Sequence, residues 1–287
     1  MQSIILGHGC SNNYCCQTLL VRILVAVNVF GGLQTMKNRQ LSVVITGASA
    51  GIGRALAFEF ARQGYHLGLV ARRLERLESL KAEIVASYGQ KKMDINLAVC
   101  DVDDIDVLPS KLQALFNSMG KVDIVVVNAG INEFSRSGKG QFSIDQRIIQ
   151  TNLIGAMATT DTAVKYFRQR GGGHVVGVSS LASLKGIPKQ AAYCASKAGL
   201  SIYLESIGFE LANKNIRVTT ILPGFIETEI MEDISQYPFS ISAEKAAKEM
   251  VKDILKEKKI SVVPAYPWRL ISPLMRVIPD SLYAKLG

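Results

Sequence analysis

The residues best suited to chemistry are a tyrosine and a lysine four positions apart, Tyr193 and Lys197, in a helical pattern from about Gln190 to Asn213. A spacing of four places both side chains on one helix face, one turn apart. A phenol has a pKa of about 10, and a fixed ammonium nearby lowers that pKa by favouring the phenolate. The pair therefore predicts a proton donor for a carbonyl oxygen. By itself Tyr-x-x-x-Lys is common by chance and is typical of an ordinary surface helix.

A serine strengthens this interpretation. Ser180 comes 13 residues before Tyr193, at the end of the strand-like run His174 to Ser179. A hydroxyl in that place can hydrogen-bond a substrate oxygen. Alone it is an ordinary serine at the end of a strand, but together with Tyr193 and Lys197 it favours a catalytic group.

A glycine-rich loop follows the first predicted strand, Ser42 to Thr46, and precedes an apolar helix from Arg54 to Arg62. Glycines permit a tight turn and let backbone amides approach a pyrophosphate, whose charge the helix N-terminus then stabilises. Glycines also serve simple turns, so their place between a strand and a helix carries the prediction. The loop residues expected to contact the cofactor are Gly47, Ser49, Gly51, Ile52 and Gly53.

Two arginines, Arg72 and Arg73, follow the second predicted strand, His66 to Val70. An NAD site has Asp or Glu about 20 residues beyond the glycines, on the ribose hydroxyls. Here the stretch has no carboxylate, and two guanidinium groups suit the extra phosphate of NADP. Cations at a helix N-terminus oppose the helix dipole, so we expect a compensating anion there. We assign Arg72 to the 2′-phosphate, with Arg73 assisting; the alternative is that both merely open a helix.

Short β-rich runs alternate with amphipathic stretches from residue 41 onward. One such stretch carries a single apolar stripe at helical spacing, Leu74, Leu77, Leu80 and Ile84. Alternating strands and helices with buried strands predict a doubly wound parallel α/β sheet of about seven strands, flanked by helices, in one domain. The remaining predicted strands are Ile95 to Cys100, Val122 to Asn128, Ile216 to Leu222 and Ile260 to Val263.

The order of these motifs resembles the short-chain dehydrogenase/reductase family over about residues 41 to 263, with Thr-Gly-x-x-x-Gly-x-Gly first and Tyr-x-x-x-Lys later. The resemblance implies a Rossmann-like NADP-binding domain and a catalytic tetrad that adds Asn152 to Ser180, Tyr193 and Lys197. Ser180 then orients substrate, Tyr193 transfers the proton, Lys197 lowers the pKa of the tyrosine and holds the nicotinamide ribose, and Asn152 holds a relay water.

The resemblance also assigns further cofactor contacts to the ends of later strands. Asp101 meets the adenine, the Asn-Ala-Gly turn supports the adenine ribose, and the Pro-Gly segment after the sixth strand contacts the nicotinamide end. In this chain these residues, with Tyr193 and Lys197, are Asp101, Val102, Asn128, Ala129, Gly130, Pro223, Gly224, Ile226 and Thr228.

The stretch between Phe225 and Ile241 forms a cap over the substrate in that family. It is apolar here, which predicts a largely apolar small-molecule carbonyl or alcohol. Ordinary core packing of one helix explains the pattern nearly as well. The apolar cap residues are Phe225, Ile226, Ile230, Met231, Ile234, Tyr237 and Phe239.

Composition excludes several other classes. The 287 residues carry a net charge of +9 spread along the chain, with no basic helix that would read bases, so we expect no nucleic acid. The odd number of five cysteines and the scattered histidines predict no disulfide framework and no metal. Cys194, beside Tyr193, is expected to be a packed small residue.

The N-terminal and C-terminal segments differ in composition from the rest of the chain. Residues 1–40 are predicted to be an appendage and not a membrane anchor, because residues 1–35 lack Asp, Glu and Lys and their apolar run is interrupted by Arg22. The alternative is that Met36 is the natural first residue and that the given sequence starts upstream of it. The tail, residues 264–287, is apolar and basic and contains four prolines, which exclude one long helix. It can close the pocket, join a subunit interface or contact a membrane surface.

The sequence therefore predicts an NADPH-dependent reductase of a ketone or aldehyde, cytoplasmic or membrane-associated, and by resemblance a homo-oligomer, either dimer or tetramer. The nearest alternative is a 3-oxoacyl thioester reductase of lipid metabolism. A non-catalytic NADP-sensing module on the same fold is the alternative of another class, and the complete tetrad argues against it. Fold alone does not identify a substrate.

Overall fold

Seven parallel strands form the central sheet. The computed structural model describes residues 40–89, 93–228, 237, 239–275 and 277. The strands of this sheet are β1 (Ser42–Thr46), β2 (His66–Ala71), β3 (Ile95–Val99), β4 (Ile124–Val127), β5 (Gly173–Val178), β6 (Ile216–Pro223) and β9 (Ile260–Val263). Their spatial order is β3-β2-β1-β4-β5-β6-β9. The predicted doubly wound parallel α/β fold with a seven-stranded sheet is thus confirmed.

Helices cover both faces of this sheet. One apolar cluster joins it to α1, α2 and α7, and a second joins it to α3, α5 and α6. Alternate residues along a strand point to opposite faces, so Val43 and Ile45 belong to the first cluster and Val44 to the second. The helices are α1 (Gly51–Arg62), α2 (Leu74–Tyr88), α3 (Leu108–Ser118), α4 (Phe142–Ile149), α5 (Ala156–Arg170), α6 (Ala191–Leu211), α7 (Ala243–Ile254) and α8 (Trp268–Met275).

The strand order reverses beside β1. This strand pairs with β2 on one side and with β4 on the other, and the chain runs outward from it in both directions. Because all strands are parallel, their carboxyl ends share one edge of the sheet. A crevice opens there between the loops that follow β1 and β4, and ligands of doubly wound sheets bind in such crevices.

The predicted apolar stripe of α2 is correct at three of its four positions. Leu77, Leu80 and Ile84 are buried, whereas Leu74 is 45% exposed. Leu74 is the first residue of the helix, directly after the N-cap Arg73, and lies beyond the part of α2 that packs on the sheet. Periodicity assigns a face to a residue, but it does not show how far the supporting sheet extends.

Other boundaries also differ from the prediction. β4 begins at Ile124, because the N–H of Val122 donates instead to the Tyr166 hydroxyl at 3.0 Å. A separate two-stranded parallel sheet, β7 (Ile226–Glu227) with β8 (Ile241–Ser242), was not predicted. A π-helical turn, Gln150–Gly155, joins α4 to α5, and a 3₁₀ turn, Leu181–Ser183, follows β5.

The two predicted terminal segments differ in how much of them is described. One compact unit begins at Leu41, and the predicted appendage lies outside the described residues except for Gln40. In the tail, α8 is a short helix with Pro273 inside it. None of the described helices combines the length and apolar composition needed to cross a membrane.

Candidate active site

A cleft of about 560 Å³ lies at the carboxyl ends of the strands. It brings together nearly all of the residues singled out from the sequence, although they are spread from β1 to β7. The predicted residues that line it are Gly47, Ser49, Gly51, Ile52, Arg72, Arg73, Asp101, Val102, Asn128, Ala129, Gly130, Ser180, Tyr193, Lys197, Pro223, Gly224, Ile226 and Thr228. Gly53 and Asn152 are absent from this lining.

The glycine loop is shaped by close backbone approaches. Gly47 has a φ of +65°, and a Cβ there would lie 2.8 Å from the Cα of Ala129. A Cβ at Gly53 would lie 2.2 Å from the Gly47 carbonyl oxygen, so this glycine lets α1 pack against the loop rather than facing the cleft. The N-cap of α1, Ala50, offers no side-chain hydrogen bond, and the first turn holds no acidic residue. The N–H groups of that turn are therefore suited to an anion.

Thr46 joins this loop to the loop after β4. Its Oγ1 accepts hydrogen bonds from the N–H groups of Asn128, at 3.0 Å, and Ala129, at 3.2 Å. The Asn128 amide in turn donates to the Thr46 carbonyl oxygen at 2.9 Å. These bonds hold the two loops at a fixed separation across the switch point of the sheet. Thr46 and Asn128 therefore support the floor of the cleft.

Three arginines lie at the β2 end of the cleft. Arg72 and Arg73 were predicted, and Arg76, one helical turn further along α2, was missed. Arg72 lies before the helix, so helical spacing provided no signal for Arg76. The Arg72 guanidinium lies 3.7 Å from the Asp101 carboxylate. The phosphate expected near this helix N-terminus stays a prediction.

Tyr193 and Ser180 meet at the other end of the cleft. Ser180 has an extended backbone at the start of the 3₁₀ turn, and its Oγ accepts the N–H of Ala182 at 3.1 Å. This bond fixes the hydroxyl. Burial raises the pKa of Tyr193, and the neighbouring Ser180 hydroxyl opposes that rise only in part.

Lys197 is not among the groups that shift the pKa of Tyr193 here, so the lowering assigned to it stays a prediction. The Lys197 Nζ donates to the Val178 carbonyl oxygen at 2.9 Å and lies 5.9 Å from the centroid of the Tyr193 ring. Burial also lowers the pKa of Lys197 itself to about 8.

Asn152 lies behind the cleft, in the π-helical turn. Its Oδ1 accepts the Ile131 N–H at 2.7 Å, and its Nδ2 donates to the Ile131 carbonyl oxygen at 2.8 Å. A longer contact of 3.3 Å joins Nδ2 to the Ser196 hydroxyl on α6. The side chain therefore ties the loop after β4 to the helix that carries Tyr193. The relay water assigned to Asn152 stays a prediction.

An aromatic cluster built from three segments of the chain lies against Gly224, which lines the cleft: a Cβ at Gly224 would lie 2.9 Å from the Trp268 Nε1. The Phe225 ring packs on Tyr237 at 4.6 Å and on Trp268 at 5.7 Å between centroids, and Phe239 meets Trp268 at 6.1 Å. Trp268 was not predicted here, and no motif marked it. The other predicted cap residues, Ile230, Met231 and Ile234, lie outside the described residues.

The remaining expectations concern cysteines and metals. Cys194 is buried, and its Sγ accepts the Ile187 N–H at 3.3 Å, which confirms a packed small residue. Burial also raises the pKa of this thiol.

In the part of the chain that the structure describes, no group of three His, Cys, Asp or Glu side chains is placed to hold a metal ion.

The sheet order, the switch-point crevice and the glycine loop together define a Rossmann-like α/β protein. The profile of a family described as short chain dehydrogenase matches residues 42–238. The chain belongs to this family of oxidoreductases.

Comparison with known proteins gives relatives over most of the chain. An uncharacterized oxidoreductase of Mycobacterium tuberculosis is 40% identical over 243 residues, which cover 84% of this chain and 94% of that protein. The human 3-oxoacyl-(acyl-carrier-protein) reductase is 35% identical over 197 residues, covering 67% of this chain and 78% of its own. An alcohol dehydrogenase from the archaeon Thermococcus sibiricus, solved in complex with 5-hydroxy-NADP, matches with a TM-score of 0.66 and 25% identity. The match covers 78% of this chain and 95% of that chain.

Proposed function

We propose that the protein is an NADPH-dependent oxidoreductase that reduces a ketone or aldehyde, and in reverse oxidises the alcohol, with Tyr193 as the proton donor. One observation carries the proposal: Ser180, Tyr193 and Lys197 line the same cleft as the glycine loop and the arginines. A nucleotide and a reacting carbonyl can therefore occupy the same cleft side by side.

The residues at the β1 and β2 end fit the cofactor. The uncapped N-terminus of α1 suits a pyrophosphate, and the close backbone approach at Gly47 leaves no room for a side chain there. Arg72, Arg73 and Arg76 supply the positive charge that a 2′-phosphate requires. When bound, the nicotinamide supplies the hydride. The structure of the Thermococcus enzyme with an NADP derivative supports this cofactor class.

The raised pKa of Tyr193 determines the form in which it works. The phenol stays protonated at neutral pH, and it can therefore give its proton to a carbonyl oxygen that becomes an alkoxide. The Ser180 hydroxyl, fixed by Ala182, donates a hydrogen bond to the same oxygen and stabilises its developing charge. Both features favour reduction at neutral pH, with the reverse reaction gaining as pH rises and phenolate forms.

Lys197 and Asn152 complete the catalytic end in this proposal. Lys197 is buried at the cleft wall, and with a pKa of about 8 it is mainly charged at neutral pH. Its ammonium is suited to hold the ribose hydroxyls next to the nicotinamide. Asn152 holds the loop after β4 against α6 and so maintains the distance between that loop and Tyr193.

The substrate class follows from the aromatic cluster. The rings of Phe225, Tyr237 and Trp268 pack together behind Gly224, which lines the cleft. We infer that they form an apolar wall on the substrate side, which favours an apolar carbonyl compound because burial of its surface drives binding. A 3-oxoacyl thioester is the second candidate, and the similarity to the human 3-oxoacyl reductase supports it.

The test is NADPH oxidation by the purified protein with small ketones, aldehydes, aromatic diketones, sterols and 3-oxoacyl thioesters. Tyr193→Phe removes the proton donor and is expected to lower turnover by about 10²- to 10⁴-fold. Tyr203→Phe, the same change on the same helix at a residue outside the cleft lining, is the matched control and should keep full turnover. Unchanged turnover in Tyr193→Phe would overturn the mechanism.

The same family resemblance supports a dimer or tetramer, and we further propose a cytoplasmic location. Sedimentation velocity on the purified chain tests the first proposal, and fractionation of cells that express it tests the second. A monomer at all concentrations contradicts the proposed assembly.

A further inference from the structure

Helix α8 exposes an apolar face. Leu270 and Leu274 are one turn apart and 68% and 58% exposed, and Val277, three residues on, is 73% exposed. Tyr266, just before the helix, is 78% exposed. We call these four residues the outer face of α8. Large apolar side chains gathered on one short segment are typical of a contact surface, whereas single exposed ones are ordinary.

The opposite side of α8 is held by the protein. Ser272 and Met275 are buried, and Trp268 packs on Phe225 and Phe239. One side of α8 is therefore already packed against the rest of the protein. The outer face is the opposite side of the same helix, and it is exposed.

Charge narrows the choice of partner for the outer face. Among the described residues of this segment, 261–275 and 277, the one charged side chain is that of Arg269, which is exposed. Glu249 on α7 accepts the Ala265 N–H at 3.2 Å at the start of the segment. A partner for this face must therefore tolerate the positive charge of Arg269 or supply negative charge.

Three candidate partners for the outer face differ in the negative charge that they supply. A second copy of the face would bring arginines against arginines. Residues 1–35 of the same chain carry no Asp or Glu and so supply no negative charge. A bilayer with anionic headgroups supplies both negative charge and an apolar layer, and an amphipathic helix binds it by burying its apolar face at the headgroup boundary.

We propose that the outer face of α8 binds the surface of an anionic lipid bilayer. With eight residues at about 1.5 Å per residue, α8 is far too short to span a bilayer and lies in its interface. Tyr266, with an apolar ring and a polar hydroxyl, suits that interfacial position. Trp268 links this surface to the aromatic wall of the cleft.

The test is co-sedimentation of the full-length chain with phosphatidylcholine vesicles, with and without phosphatidylglycerol. We expect binding that requires the anionic lipid and weakens as salt is raised. The double variant Leu270→Gln/Leu274→Gln should bind at least about tenfold more weakly, because it removes the apolar contact without adding charge. Arg269→Gln should bind more weakly and with a smaller dependence on salt.

The matched control is Phe209→Gln, which makes the same kind of change at a comparably exposed apolar residue on α6. It should bind like the unaltered chain. Circular dichroism and thermal melting confirm that each variant is folded. Equal vesicle binding by the double variant would place the contact elsewhere in the chain and overturn the proposal, as would no binding by the unaltered protein. Conversion of an oligomer to monomers by the double variant, without vesicle binding, would show a contact between copies instead.

Discussion

The two ends of the cleft are built in different ways. At the β1 end the loop from Gly47 to Gly53 and the Thr46 clamp come from one strand-loop-helix unit and the strand next to it. At the Tyr193 end the aromatic wall joins Phe225, Tyr237 and Trp268, which lie up to 43 residues apart. The first end depends on backbone geometry, which short motifs encode. The second depends on side chains that meet only when the fold is complete, so it can vary between relatives without altering the first.

A change in the glycine loop should have the largest effect, because it acts on backbone. In Gly53→Ala the new Cβ would lie 2.2 Å from the Gly47 carbonyl oxygen, so the loop must move away from α1. We expect NADPH affinity to fall at least about a hundredfold and the free energy of unfolding to fall by about 1 to 3 kcal/mol. Isothermal titration calorimetry and urea unfolding measure the two effects.

Gly208→Ala is the matched control for that change. It also replaces a helical glycine, but its Cβ would meet the Val218 Cβ at an ordinary 3.7 Å. Affinity and stability should stay the same or rise slightly, since alanine favours a helix. Equal effects of the two substitutions would contradict the role assigned to the loop.

The arginines at the β2 end of the cleft should decide whether the protein prefers NADPH or NADH. Arg72→Ala removes a guanidinium from the proposed 2′-phosphate site, and charged hydrogen bonds contribute about 1.5 to 3 kcal/mol, which corresponds to roughly 10- to 100-fold. We therefore expect the KM for NADPH to rise by that factor and the KM for NADH to change little. Steady-state kinetics with both cofactors measure the ratio.

Arg217→Ala controls for the loss of one positive charge, because Arg217 pairs with Glu257 away from the cleft. It should leave both KM values unchanged. Equal increases for NADPH and NADH in Arg72→Ala would defeat the assignment of the 2′-phosphate.

The aromatic wall should show a smaller and more selective effect. Trp268→Ala removes the ring that packs on Phe225, and loss of this apolar surface should raise the KM of a carbonyl substrate by about tenfold. NADPH affinity should stay within about twofold, since the β1 end does not depend on Trp268. A parallel loss of NADPH affinity would show that the two ends of the cleft are coupled and would break the contrast between them.

Much of the fold was predictable because its signals are local. Buried strands and three of the four stripe residues of α2 were read correctly from periodicity, and only Leu74, at the helix start, was wrong. The cleft residues were predictable for a related reason: strand ends of a parallel sheet share an edge, so Ser180 and the Asn128 turn had to lie near the glycine loop. The sheet β7 with β8 and the start of β4 depended on partners distant in sequence and were missed.

The pair Tyr193 and Lys197 shows which properties follow from the local sequence and which depend on the tertiary fold. The family, the parallel sheet and the place of both residues on one helix follow from the sequence, because spacing and chain order are local properties. The tertiary fold alone shows that burial raises the pKa of the tyrosine, that the lysine turns to the Val178 carbonyl, and that Trp268 packs against Gly224 of the cleft lining. Desolvation and side-chain contact depend on what distant segments place around a group, and no spacing within one segment contains that information.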